Sequence, residues 1–467
     1  MPRLVVVSNR VADPRKTAAG GLAVALGETL ASSGGLWFGW SGRIVDARSA
    51  AETPVQRQRS GAVTLATVDL SQDEHDAYYL GFSNRVLWPV FHYRLDLADF
   101  EGGTFDTYRR VNRRFARQLA ALLQPDDVLW VHDYHLIPLG DELRALGVRN
   151  RIGFFLHIPL PPPQVLAAIP GHEWLMRALF AYDLVGLQSQ TDLAHFDRYV
   201  QAEAGAEKLP DGHYRAFGRI VRAGAFPIGI DVDEFQRLTR LDEAEEMHTL
   251  MREQYSKRKL LVGVDRLDYS KGLPQRLRAL RTLLERHPEH RSVATLIQIA
   301  SPTREDVEAY ARIRRELEQL AGAINGDFGE LDWMPVRYIH RTVARRRLAG
   351  LLRAGRVALV TPLRDGMNLV AKEFVAAQDA DDPGVLVLSR FAGAAEQLRE
   401  ALQVNPYDVE AAARAIDRAL GMPIEERRER HAALLKRLRE HDVHWWRRGY
   451  LDALQQARRE PEAPGAG

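Results

Sequence analysis

The stretch TPLRDGMNLVAKEFVAAQ, from Thr361 to Gln378, sets an arginine, an aspartate and a glycine after an apolar run and places Glu373 a little farther on. Val357 to Val360 are apolar and partly β-branched, whereas Met367, Val370, Phe374 and Ala377 recur at helical spacing, so the residues between them turn from a strand into a helix. Such a turn lies at a strand's carboxyl end, where open α/β sheets bind ligands. Gly366 lets backbone come close to a ligand, and the helix start offers unpaired N–H groups at a positive dipole end, which suits a phosphate. Glu373, one turn after Leu369, can accept from the ribose hydroxyls of a nucleotide whose phosphates sit on that helix start. Its blander role is to complement the helix dipole.

A second stretch, VGVDRLDYSKGLPQRL, carries Arg266 just past a strand and Lys271 five residues on, ahead of Gly272 and Pro274. Two cations at a strand-to-helix turn can both reach the oxygens of a diphosphate. The alternative is that they pair with Asp265 and Asp268 on the surface; the presence of RDGMNLVAKE in the same half of the chain favours a nucleoside diphosphate. Nearer the start, SNRVADPRKTAAGGL leads a strand into a loop with Arg10, Gly20 and Gly21, similar to a phosphate loop but neither G-x-G-x-x-G nor a Walker sequence. FGWSG, YYLGFSNRVLWPVFHYR and HDYH add Trp40, Tyr79, Trp88 and Asp133, aromatics beside polar groups that suit a sugar's face and its hydroxyls, although any one of them alone reads as core packing. His132, Asp133, His135 and His157 can also be read as metal ligands. Their spacing matches no zinc or iron pattern and brings no glutamate base, so the expectation is no metal, with the histidines orienting the loop after the buried strand VLWV.

These residues need elements to position them. LVVVSNR, DVLWVHDYH, RIGFFLHIP and DLVGLQS form one series of short strand-like runs alternating with amphipathic helical stretches, and LLVGVDRLD, ATLIQIA, VALVTPL and GVLVLSR form another. That alternation predicts parallel sheets with crossover helices in two doubly wound domains. The connector FPIGIDVDEF, Phe226 to Phe235, punctuated by Pro227 and Gly229, separates them, and the polar stretch from Ala204 to Arg222 reads as a loop or hairpin before it. The expected organisation is a first domain over 1–228, a second over 229–440, an aromatic helix over 441–459 crossing back to the first, and a disordered tail at 460–467.

A chain of 467 residues with 46% hydrophobic and 27% charged residues is long enough for two or three ordinary globular domains. A net charge of +2 gives no argument for nucleic acid or membrane, and the Arg clusters RRVNRR and RTVARRRL read as solvated helix faces. With no cysteine there is no disulfide and no thiolate metal site. The first apolar run is too short for a signal-peptide core and no stretch approaches membrane-spanning length, which makes a cytoplasmic protein the expectation. A nicotinamide oxidoreductase is disfavoured, because SNRVADPRK lacks the glycine fingerprint that such an enzyme carries after its first strand.

Taken in order, GGLWFGWSG, FSNRVLWPVFHYR, WVHDYHL, FFLHIPLP, RLDYSKGLPQRL and TPLRDGMNLVAKE resemble the trehalose-6-phosphate synthase family, glycosyltransferase family 20, over nearly the whole chain. The resemblance implies a glycosyltransferase-B fold, two Rossmann-like domains facing a central cleft, and a retaining transfer of glucose from a nucleoside-diphosphate glucose, UDP-glucose foremost, to glucose 6-phosphate without a cofactor. On the donor side it implies Arg266 and Lys271 at the diphosphate with the backbone of Asn368, Leu369 and Val370, Gly366 and Met367 in the same turn, Gly21 near the phosphates, Glu373 at the ribose, and His157 and Asp365 at hydroxyls of the transferred glucose. On the acceptor side it implies Arg10, Tyr79, Trp88 and Arg304 around glucose 6-phosphate, with Trp40 and Asp133 lining the sugar site. Asp133, His157, Arg266, Lys271 and Asp365 form the expected catalytic set. Another phosphorylated acceptor, such as glycerol 3-phosphate or a cyclitol phosphate, and a non-catalytic homologue remain as alternatives, and a homo-oligomer is possible.

Overall fold

The computed structural model describes residues 2–12, 26–27, 30, 34–52, 54–100, 103–303 and 308–458; Gly20, Gly21, Arg304 and the tail 460–467 lie outside them. The chain divides into two compact units: one takes in the chain up to Pro227 together with that from Trp446 on, and the other runs from Ile228 to Trp445. Each is built on a largely parallel sheet, as expected of two Rossmann-like domains.

In the first unit the described strands are β1 (Leu4–Arg10), β2 (Gly35–Val45), β3 (Gln56–Ser60), β4 (Val63–Ser71), β5 (Val128–His132), β6 (Arg151–Phe155), β7 (Leu184–Leu187), β8 (Glu207–Lys208), β9 (His213–Ala216) and β10 (Arg219–Ala225). They lie in the order β3-β4-β2-β1-β5-β6-β7-β10-β9-β8. From β4 to β10 every neighbouring pair is parallel, and β3, β8 and β9 add antiparallel edges. β1 is central because Leu4 to Ser8 are all buried, as a strand covered on both faces must be. On one side of it the sheet grows through β2, on the other through β5, so the strand order reverses between β1 and β5.

The second unit holds β11 (Lys259–Arg266), β12 (Ala294–Ser301), β13 (Val336–Ile339), β14 (Val357–Val360), β15 (Val385–Ser389) and β16 (Leu402–Val404). Their order is β13-β12-β11-β14-β15-β16, parallel throughout. This is the doubly wound dinucleotide-fold order, with its reversal between β11 and β14.

The polar stretch from Ala204 to Arg222, read as a loop or hairpin, is an antiparallel hairpin of β9 with β10, to which β8 adds the first sheet's outermost strand. Two features were not expected from the sequence. Residues His75–Leu87 form a 13-residue π-helix, whose i→i+5 bonding no side-chain periodicity announces. The donor-side helix begins at Leu369 with Asn368 as its cap, so Met367 precedes it and is buried, its carbonyl accepting from the Ala394 N–H (2.9 Å). Among the described residues no helix is long and apolar enough to cross a membrane.

The helix Val443–Gln456 shows why an aromatic-rich segment ends the chain. From Trp446 on it packs in the first unit, where Tyr450 stacks on Trp130 at 4.7 Å and 13° and donates its hydroxyl to the Phe154 carbonyl (3.0 Å). Gly186 on β7 leaves space for that ring, because a Cβ there would stand 2.6 Å from it. Removing a fully buried aromatic leaves a cavity that costs about 3–5 kcal/mol. Tyr450→Ala is therefore expected to lower the urea midpoint by a loss of that size, and a loss below about 1 kcal/mol in equilibrium unfolding would contradict this packing.

Candidate active site

In the second unit the carboxyl ends of β11 and β14, which flank the switch point, carry the donor-side candidates. Arg266 ends β11 and is exposed. Just beyond it Asp268, fully buried, accepts from the backbone N–H of Ser270 (2.9 Å) and the hydroxyl of Tyr310 (3.2 Å). These bonds draw the chain into the 3₁₀ turn Tyr269–Lys271, and the Lys271 ammonium donates to Asp365 Oδ2 at 2.6 Å, with both side chains largely shielded from water. Asp265, the other acid weighed as a surface partner, is taken by Arg276. That buried guanidinium also donates to Gln298 Oε1 (2.8 Å) and Thr361 Oγ1 (3.0 Å).

The turn after β14 converges on Asp365. Its carboxylate receives the Asn368 amide (3.0 Å) as well as Lys271, and the Leu363 N–H donates to the Ser270 carbonyl (2.7 Å), joining the two turns. The permissive backbone conformation falls at Asn368, φ +82°, rather than at a glycine. Asn368 caps the helix Leu369–Ala377 by accepting from the Ala371 N–H (3.2 Å). The first-turn N–H groups of Leu369 and Val370 have no intrahelical acceptor, so they and the dipole are free to serve an anion. Glu373 follows one turn later with Arg345 at 3.6 Å. Burial pushes its carboxyl up from the usual range while Arg345 pulls it down. Acceptance of hydroxyl hydrogens by its carboxylate thus fades on acidification sooner than for an ordinary glutamate.

In the first unit the corresponding strand ends are those of β1 and β5. Arg10 ends β1 and lies over the Trp40 ring on β2 (5.7 Å), and Gly42, at φ +89°, leaves its guanidinium room that a side chain would fill. Trp40 faces Tyr79 at 5.7 Å; Tyr79 stacks on His135 at 5.8 Å, His135 contacts Tyr134 at 3.9 Å, and Tyr134 contacts Trp88 at 5.7 Å. The π-helix sets this wall. Tyr78 donates to Asn9 Oδ1 at the end of β1 (2.8 Å), while buried Asn84 donates to the Tyr79 carbonyl (2.7 Å) and accepts from the Tyr134 hydroxyl (2.8 Å).

Asp133, the first residue after β5, adopts φ +77° and ψ +163°, a strained conformation for a side-chain-bearing residue and of the kind that collects at functional sites. Its carboxylate accepts from the His157 backbone N–H (3.2 Å). Imidazole Nε2 of His157 shares a hydrogen bond with Nδ1 of buried His132 (3.0 Å), and Nδ1 of His157 meets the Gln188 amide (3.3 Å). At 3.0 Å the two ring nitrogens share one hydrogen bond, one ring donating and the other accepting. Burial pushes His157 down to about 3 and His132 well below its ordinary value, so both rings are neutral.

The model of glycosyltransferase family 20 matches residues 6–456. The chain belongs to this family. A trehalose-6-phosphate synthase of Sinorhizobium fredii is 50% identical over 458 residues, covering 97% of this chain and 98% of that one. Among solved structures, a Burkholderia xenovorans α,α-trehalose-phosphate synthase (UDP-forming) in complex with glucose-6-phosphate is 50% identical with a TM-score of 0.93, covering 97% of this chain and all of that one. The E. coli enzyme bound with UDP-2-fluoro glucose is 45% identical with a TM-score of 0.93, covering 98% and 100%.

Of the residues expected to act in this family-20 chain, the structure brings together Lys271, Asp365 and Asn368 in one unit and Arg10, Trp40 and Tyr79 in the other, with Trp88 joined through Tyr134 and His135. Asp133 and His157 share a bond; Arg266 ends β11, and Glu373 lies in the helix after β14. Gly21 and Arg304 fall outside the described residues. Sequence reasoning passed over Gln188, Asn84 and Arg276 as positioning groups, whereas His132 was expected to orient the loop after β5 and does so through His157. Arg276 had a visible signal, a charge in the apolar register of Leu273, Leu277 and Leu280, and Gln188 had another, a polar residue immediately after the buried strand β7.

Because His157 stays neutral far below the ordinary histidine range, acid works against this pair: the unfolded chain gains protons that the folded one refuses. Stability from His157 is complete above about pH 6.5 and is lost as pH falls toward its folded value of about 3. NMR of the His157 ring is expected to show no titration between about pH 5 and 8, and a midpoint near 6.5 would contradict the buried neutral pair.

Proposed function

We propose that the chain transfers glucose from UDP-glucose to glucose 6-phosphate with retention of configuration, releasing UDP and α,α-trehalose 6-phosphate. The observation that carries this is the Lys271–Asp365–Asn368 cluster at a capped helix start on the β11/β14 switch point, within a chain matched by family 20 from residue 6 to 456. The trehalose-6-phosphate synthases among its relatives, and the glucose-6-phosphate and UDP-2-fluoro glucose bound in solved neighbours, support the same substrates.

In this reading Arg266 and Lys271 hold the diphosphate with the N–H groups of Asn368, Leu369 and Val370, the turn through Gly366 and Met367 gives it access, and Glu373 takes the ribose. An ammonium has three N–H donors, so Lys271 keeps two for phosphate while one remains on Asp365. Asp365 orients the glucose through its hydroxyls. His157 joins it where the Gln188 amide, at 3.3 Å, yields Nδ1. Arg10, Tyr79, Trp88, Trp40 and Asp133 hold glucose 6-phosphate, together with Arg304, and Gly21 lies by the donor phosphates.

As the bond from the glucose anomeric carbon to the phosphate oxygen breaks, negative charge grows on that oxygen, and preorganised cations and helix N–H groups stabilise it. The acceptor hydroxyl attacks from the face that the phosphate leaves, and its proton passes to the departing phosphate. That route gives retention with no carboxylate nucleophile. Asp133 positions the acceptor.

The test offers UDP-, GDP- and ADP-glucose, each with glucose 6-phosphate, and measures nucleotide release and disaccharide phosphate. UDP-glucose is expected to support turnover, and Lys271→Ala to lower it by on the order of a hundredfold, the scale of losing one transition-state charge contact. No disaccharide phosphate from any donor, or full activity in Lys271→Ala, would contradict the reading.

A further inference from the structure

At the end of the helix Leu273–Arg286 remote from Lys271, a short turn gathers three metal-ligating side chains that the transfer reaction does not use. His287 Nδ1 lies 3.4 Å from Glu289 Oε1 and 3.7 Å from Asp417 Oδ1, and one ligand atom from each of the three lies within 4.8 Å of the others. His287 and Glu289 flank Pro288 in the turn, and Asp417 comes from the packed helix Val409–Gly421. Four ligand atoms around zinc, each about 2.0–2.1 Å from it, stand roughly 3.3 Å apart. Two of the separations seen here are already close to that. The third joins two carboxylates, whose mutual repulsion a divalent cation would remove.

The turn is stiff before any ion arrives. The His290 N–H donates to the His287 carbonyl (3.0 Å), the Arg291 N–H to the Pro288 carbonyl (3.0 Å), and Pro288 fixes its own φ. His290, largely buried, sets its Nε2 2.8 Å from Asp417 Oδ1, the carboxylate–imidazole contact that orients metal ligands from outside the coordination shell. The adjacent cations are occupied: Arg286 pairs with Glu410, and Arg291 donates to the Leu284 carbonyl.

We propose that His287, Glu289 and Asp417 form a site for a divalent cation of the zinc class, oriented by His290, which fastens the turn after the helix Leu273–Arg286 to the helix Val409–Gly421. One imidazole nitrogen with two carboxylate oxygens and room for water suits zinc better than magnesium or calcium, which favour all-oxygen shells of six or more ligands. Nothing in the transfer chemistry depends on the site. Its effect is on the stability of the second unit, since an ion that binds only the folded chain raises the unfolding midpoint.

The experiment is calorimetric titration of the chelator-stripped full chain with zinc chloride, alongside thermal unfolding with and without the ion. The wild-type protein is expected to bind about one zinc per chain with a raised midpoint, and magnesium to do neither. His287→Gln, in the turn, and Asp417→Asn, on the helix packed against it, each remove a ligand and are expected to abolish both effects, while His290→Gln weakens affinity by about 10–100-fold, as loss of an orienting partner does. Absence of zinc binding by the wild-type chain, or unchanged binding in both ligand variants, would overturn the proposal. Donor turnover in the same samples reads separately on the proposed function.

Discussion

An ammonium and a carboxylate 2.6 Å apart, Lys271 and Asp365, form the contact on which the carboxyl end of the second unit's sheet depends. A lysine that is 9% exposed is expensive to bury without a partner, and removing one member of such a pair leaves an uncompensated charge. The surroundings therefore serve to keep the pair in place. Asp268 shapes the turn that presents Lys271, Asn368 holds Asp365 from the other side, and the Leu363–Ser270 backbone bond ties the two turns together. Beneath them Arg276 joins Asp265 on β11, Gln298 on β12 and Thr361 after β14, so one guanidinium locks the carboxyl ends of three neighbouring strands. The result is charge fixed in position before any ligand arrives, the form in which electrostatic stabilisation is most effective.

The first unit solves a different problem, that of holding a wall of aromatic edges and faces at a strand reversal. Asp133 takes a strained backbone there, which persists because its surroundings hold it on both sides. Its N–H donates to the Phe155 carbonyl (2.8 Å), its carboxylate accepts from His157, and the next turn is pinned by Asn112 and Tyr108 donating to the carbonyls of His135 and Tyr134. From the π-helix Tyr78 reaches β1 while Tyr79, its neighbour, joins the wall. A neutral imidazole pair beside it contributes shape and hydrogen bonding without titrating near neutrality.

Much of this was legible in the sequence for physical reasons. Strands such as LVVVSNR and VALV are buried on both faces, so they read as continuous apolar runs, and the polar residues that follow them stand at sheet ends because nowhere else can they reach solvent or ligand. Arg10, Arg266, Lys271 and Asp365 were identifiable on that basis. Strand β13, VRYI, and the strand GLWFGWSGRIV were not, since half-exposed positions and glycines interrupt their apolar pattern. The π-helix escaped because its bonding has no distinctive side-chain period. The Lys271–Asp365 pair escaped for a simpler reason: 94 residues separate its members, and only the order of β11 and β14 brings them together.

In the proposed function this pair is a diphosphate-sugar site at rest, with Asp365 occupying Lys271 until a ligand shares it. Calorimetric titration of Asp365→Asn with UDP and with UDP-glucose tests it most directly. Removing the carboxylate frees Lys271 and deletes a negative charge beside the phosphates, yet takes away a contact to the sugar. UDP is expected to bind at least as tightly as to the wild-type chain, while the advantage of UDP-glucose over UDP falls by about tenfold, the worth of one charge-assisted hydrogen bond. A parallel loss of affinity for both ligands, with their ratio unchanged, would contradict it.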